Sequence, residues 1–154
     1  MVGNLNNVNK DNNKVAGNLN NVDGNNNSLI GNKNTLIGEQ NSVKGTLNNL
    51  KGNFNMVSGN ENLVDGNQNA VGGSQNTIEN GNNNMVLGNK NILKNANENQ
   101  VNGSNNQIKN GNNNLVQGSH NKVTGDGNKM MTQNSSVSGN KNEMMGSNLK
   151  VDGN

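Results

Sequence analysis

From Gly3 onward an aliphatic residue returns at every seventh position, with Asn two residues ahead of it and Gly three residues ahead of that Asn. Written as G1-N2-x3-N4-x5-V6-x7, the word is spoken 21 times in succession. Position 6 is Val, Leu, Ile or Met every time, from Val8 to Val151. Position 4 is Asn in 19 words, with Ser135 and Leu149 as exceptions; position 1 is Gly in 18, the others being Lys10, Ala96 and Thr132. Seven residues are too few for a helical repeat unit. The sequence N4, x5, V6, x7 alternates inward and outward as a strand does, and Gly at position 1 supplies the backbone freedom of a corner.

Three residues lie outside the count: Asn80, Asn95 and Asn110, fifteen positions apart and each after an odd-numbered word. Insertions restricted to alternate words mean that two words make one coil and that only one of its two corners accepts a longer turn. The pattern therefore predicts an all-β chain, a β-solenoid (β-roll) of 14–15-residue coils with two parallel sheets. Position 6 fills a thin Val/Leu/Ile core, and position 4 stacks into internal Asn ladders. Residues 1–154 read as one repeat solenoid of 21 words without a linker. At roughly 4.8 Å per coil, its ten and a half coils make a rod on the order of 50 Å long.

Composition alone points elsewhere. Asn takes 47 of 154 positions, apolar residues make up 27%, and Phe54 is the one aromatic, a profile that without periodicity reads as low-complexity or disordered. The twelve basic and ten acidic residues are scattered singly, giving a formal charge of +2 with no basic stripe, so nucleic acid and anionic membrane are not expected partners. The first ten residues lack both a charged start and an apolar run, and no signal peptide or membrane span is expected. With no Cys and a single His, His120, there is no nucleophile-base pair and no metal constellation; neither catalysis, a cofactor nor a small-molecule substrate is expected. Asp126 in GDGN is isolated, unlike the regular Asp of calcium-binding solenoids. The glycosylation triplets at Asn26, Asn102 and Asn134 are as many as 47 Asn residues produce by chance.

Parity sorts the outward positions 5 and 7 onto two faces. The odd face carries nine charges in 22 sites, of mixed sign, and reads as solvated. The even face carries four in 20: Lys14, Lys44, Lys129 and Glu143. Between Lys44 and Lys129 stand five uncharged coils: Met56 with Ser58, Ala70 with Gly72, Met85 with Leu87, Gln100 with Asn102, and Leu115 with Gln117. Ser28 and Ser42 extend the same column toward the start of the chain. This strip is the candidate binding surface, suited to ordered water or to another flat surface.

Stretches such as GNFNMVSGNENLVDG (52–66) and GSHNKVTG (118–125), with the word x-x-N-x-V-x-G over essentially the whole chain, resemble the ice recrystallisation inhibition domain of grass antifreeze proteins. The resemblance implies a β-roll with Val inside and internal Asn ladders. It further implies an extracellular protein that binds ice through one flat face and slows crystal growth without catalysis. The chain departs from the family in its outward residues. Position 5 is commonly Thr there, whereas only Thr35 and Thr77 among the five Thr of this chain occupy it. Met and Lys lose more rotamer freedom against a lattice than Thr does, which predicts weak ice binding. The alternative is a self-assembling structural solenoid. Met1-Val2 and Gly153-Asn154 are pieces of unfinished even words, so stacked copies would nearly complete a coil and build head-to-tail, amyloid-like fibres. The partner is thus ice or copies of the chain itself.

Overall fold

The computed structural model describes Met1–Asn154 throughout. It contains 21 short strands and no helix, one strand at positions 5 to 7 of each word, from Asn7–Asn9 to Lys150–Asp152. Odd-numbered strands form an 11-stranded sheet and even-numbered strands a 10-stranded one, each strand pairing in parallel with the next of its own parity. Successive words thus lie on opposite sides of a flattened spiral. Register joins like positions, Val57 to Val71 to Val86 on the even side and Leu50 to Val64 to Ile78 on the odd.

The core is as thin as the alternation requires. Nineteen of the 21 position-6 side chains are buried, with Val8 and Val151 at the ends packed partly against them. Beside this apolar seam run two carboxamide ladders. Asn48 is representative: its backbone N–H and its Nδ2 both donate to Oδ1 of Asn34, at 2.9 and 3.0 Å, and Nδ2 also donates to the carbonyl of Gly59 at 2.8 Å. Its own Oδ1 accepts the backbone and side-chain amides of Asn62, at 3.1 and 3.0 Å. Both hydrogens and the acceptor capacity of this interior rung are used, and no buried side-chain polar atom lacks a partner. An amide buried at that depth without partners would cost several kcal/mol; here the stacking that buries it also satisfies it.

A second ladder lies outside the first and was not foreseen. Every word has an oxygen-bearing side chain at position 2, whether Asn, Asp, Glu, Gln, Ser or Thr. On the corner leading into the even sheet these oxygens accept the backbone N–H of the coil before, as Asn67 donates to Asn82, Asn82 to Asn97 and Asn97 to Asn112, all at 2.9–3.0 Å. The inner rungs accept from the coil after. The two ladders therefore run in opposite senses.

The corners differ. Leaving the even sheet, six strands continue for five residues through positions 1 and 2, so that Gly31 pairs with Gly45 and Asn32 with Thr46. A Cβ on Gly45, at φ +138°, would stand 1.7 Å from the carbonyl oxygen of Gly59. Leaving the odd sheet, no strand continues, and it is here that Asn80, Asn95 and Asn110 sit, at φ +51°, +48° and +48°. The eighth residue takes over the left-handed bend, and the next position 1 is released from it: Gly81, Ala96 and Gly111 have no positive φ. That explains why Ala96 stands where Gly is the rule, its methyl group joining the core. Position 3 is left-handed in every word, even at Leu5, Lys33 and Phe54; the cost, of order 1–2 kcal/mol for such residues, is offset by the packing of the coil it closes.

Thr132 and Ser135 are linked exceptions. With Ser at position 4 the ladder loses an amide, and the Thr132 hydroxyl fills the gap by donating to Oδ1 of Asn121 at 2.8 Å. Ser135 donates its N–H to the same oxygen, and its hydroxyl accepts the N–H of Leu149. One departure from the word thus makes good the other.

Candidate functional site

The even face is built on the paired strands just described, and the structure brings the ten central strip residues into two parallel columns. Met56, Ala70, Met85, Gln100 and Leu115 are consecutive partners in one; Ser58, Gly72, Leu87, Asn102 and Gln117 in the other. Rungs repeat at roughly 4.8 Å and the columns lie roughly 7 Å apart, as strand geometry sets them. Ser28 and Ser42 continue the first column, with Ile30 and Lys44 beside them.

The strip is largely open to solvent. Met56, Met85 and Leu87 are 63%, 47% and 45% exposed, Ala70 and Leu115 are half-buried, and Ser28, Ser42, Ser58, Gln100, Asn102 and Gln117 are exposed. Leu87 leans over the glycine beside it: a Cβ on Gly72 would stand 3.0 Å from Leu87 Cδ2. A shallow hollow of about 130 Å³ lies among Met85, Leu87, Gln100, Leu115 and Gln117. Past the strip, Lys129 and Glu143 form an ion pair at 2.7 Å. The hydrogen bond from Lys129 and its charge hold the Glu143 carboxyl below the usual carboxylate range.

The odd face answers with ion pairs along its outer column, Lys94 with Glu79 at 2.8 Å and Lys51 with Asp65 at 3.8 Å. Its charges from Asp23 to Lys109 all stand at position 7, while its position 5 is uncharged from Asn7 to Gln107. That narrower column, holding both Thr35 and Thr77 next to Asn49, Leu63 and Ile92, is missed when charges are counted face by face. Sorting by column as well as by sheet reveals it.

No group of three or more His, Asp or Glu side chains converges. His120 is exposed at the left-handed position 3 of its word.

The family profile described as the grass antifreeze beta roll matches residues 1–79 and again 71–154, so its two matches together span the chain. Comparison with curated proteins finds no match.

Proposed function

The chain belongs to the grass antifreeze β-roll family, an ice-binding class rather than an enzyme class, and from that premise we propose that it adsorbs to ice through its even face and inhibits recrystallisation. The observation that carries the choice of face is the run of five coils, Met56 to Gln117, whose ten outward positions hold no charge.

Ordered water must be shared between protein and crystal for adsorption to occur. Ionic side chains grip their own hydration shells, whereas methyl, methylene and amide groups leave water free to adopt the lattice. Rungs held in register by the backbone present such groups at fixed intervals, so little conformational freedom of the scaffold remains to be lost at the surface. The side chains themselves are less suited: Met56, Met85 and Leu87 must each give up rotamers. Adsorption is correspondingly weak, enough to pin slowly migrating grain boundaries. An ice front held at scattered points bows outward between them, and the curved front is less stable than a flat one.

Recrystallisation and ice shaping at micromolar protein test this. Wild type keeps grains small and facets single crystals. Replacing Ala70 and Met85 together with Lys abolishes both effects, and Asn49→Lys on the odd face leaves them intact. If Asn49→Lys is the change that abolishes them, the narrower odd column is the working surface. If wild type shows neither effect while a known antifreeze does, ice binding itself is refuted.

A further inference from the structure

Three Asn-Gly steps occur in the chain, at residues 80–81, 102–103 and 110–111. This dipeptide is where a carboxamide is most readily lost, because glycine leaves its own nitrogen unhindered to attack the Asn side chain. Whether a given step reacts in a folded protein depends on whether that nitrogen is free and whether the backbone can bring it to the carboxamide carbon.

The structure separates the three. The N–H of Gly103 donates to the carbonyl of Leu87 at 2.9 Å and that of Gly81 to the carbonyl of Asp65 at 3.2 Å. Gly111 is enclosed, and its N–H has no acceptor in the protein. The side chains of the eighth residues stack as a three-rung ladder, Asn80 Nδ2 donating to Asn95 Oδ1 at 3.4 Å and Asn95 Nδ2 to Asn110 Oδ1 at 3.2 Å. Asn110 is the last rung. Its carbonyl oxygen accepts a hydrogen bond, and its Nδ2 donates none.

We infer that Asn110 is a site of spontaneous deamidation in the folded protein, with Gly111 as the nucleophile and Asn95 as the donor that polarises the reacting carbonyl. The Gly111 nitrogen gives its proton to water or hydroxide and bonds to Cγ of Asn110. The Cγ–Nδ2 bond breaks, and ammonia leaves with a proton from solvent. Negative charge on Oδ1 during the attack is met by Asn95 Nδ2. The resulting five-membered imide takes up one water and opens to Asp or isoaspartate, so one water is consumed for each ammonia released. Ring closure also removes a donor that the fold leaves unsatisfied.

Asn95 supplies an internal control. It has the same left-handed backbone and likewise accepts from the rung before it, and the N–H after it is also unpaired, but its Nδ2 donates to Asn110 and that N–H belongs to Ala96, whose methyl group hinders the attack.

The experiment incubates the intact folded chain at mildly alkaline pH and quantifies Asn, Asp and isoaspartate at residues 80, 95, 102 and 110 by peptide mapping with mass spectrometry. The same chain in denaturant gives the intrinsic rate of each step. Asn110 in the folded chain is expected to react several-fold faster than Asn80 and Asn102, and to be slowed least by folding. Ala96→Gly should make Asn95 a second site. Equal or faster loss at Asn102 or Asn80, or protection of Asn110 as strong as theirs, overturns the assignment.

Discussion

The even and odd sheets share one scaffold and differ in what they present to water. Inside, both have a stack of aliphatic residues and a carboxamide ladder, unbroken on the even side and handed on after Asn121 to Ser135 and Leu149 on the odd. Outside, the odd sheet links coils through Lys–Asp and Lys–Glu pairs at position 7, while the even sheet runs five coils without an ion and resumes charge only at Lys129 and Glu143. Fold is decided at positions 1, 4 and 6, which are enclosed or constrained; positions 5 and 7 are free of that duty. Side chains there can change without disturbing the coil, so the two faces can differ while the scaffold stays the same.

The largest expected effect comes from what the sheets share. Asn55→Ala on the even ladder and Asn62→Ala on the odd each strand the bonded groups of both neighbouring coils, and each should destabilise the fold by about 2–4 kcal/mol in denaturant titration. Strongly unequal costs would mean that the two interiors are not equivalent.

A matched pair sharpens the contrast outside. Gln100 and Gln107 are the same residue at position 5 of neighbouring words, one on each face. Gln100→Lys should sharply weaken recrystallisation inhibition, and Gln107→Lys should leave it near wild type, with folding unchanged by circular dichroism in both. The reverse result would exchange the roles of the faces.

The smallest effect is electrostatic. Because Lys129 lowers the Glu143 pKa, whatever the pair contributes is complete above the ordinary carboxylate range and is lost as pH falls through the lowered value. An exposed pair contributes little. Thermal melts of wild type and Glu143→Gln should therefore differ slightly at neutral pH and converge in acid.

Sequence made the inner architecture readable because each enclosed position admits one kind of residue: Val22 or Leu36 in the core, Asn34 or Asn41 in a ladder. Parity followed from three surplus Asn residues, and the strand pairing bears it out. The outer ladder was less visible, since Ser74, Glu39 and Asn53 look unalike until their shared oxygen is noticed. Lys10, Ala96 and Thr132 stood as bare irregularities. Ala96 makes sense only with the φ of Asn95, and Thr132 only with the ladder gap at Ser135, both relations across space or conformation that spacing does not carry. The working face was least legible, because nothing in the coil dictates residues that point into water.

The opposed senses of the inner and outer ladders have an electrical consequence. In a single file of amides every N–H points the same way, and its dipoles add along the stack as they do in a helix. Here each inner rung sends one Nδ2 hydrogen to the rung before it and the other to a glycine carbonyl of the coil after, while the outer file donates toward the last coil, so much of the axial polarity cancels. A rod so compensated can lengthen coil by coil without accumulating charge separation between its tips.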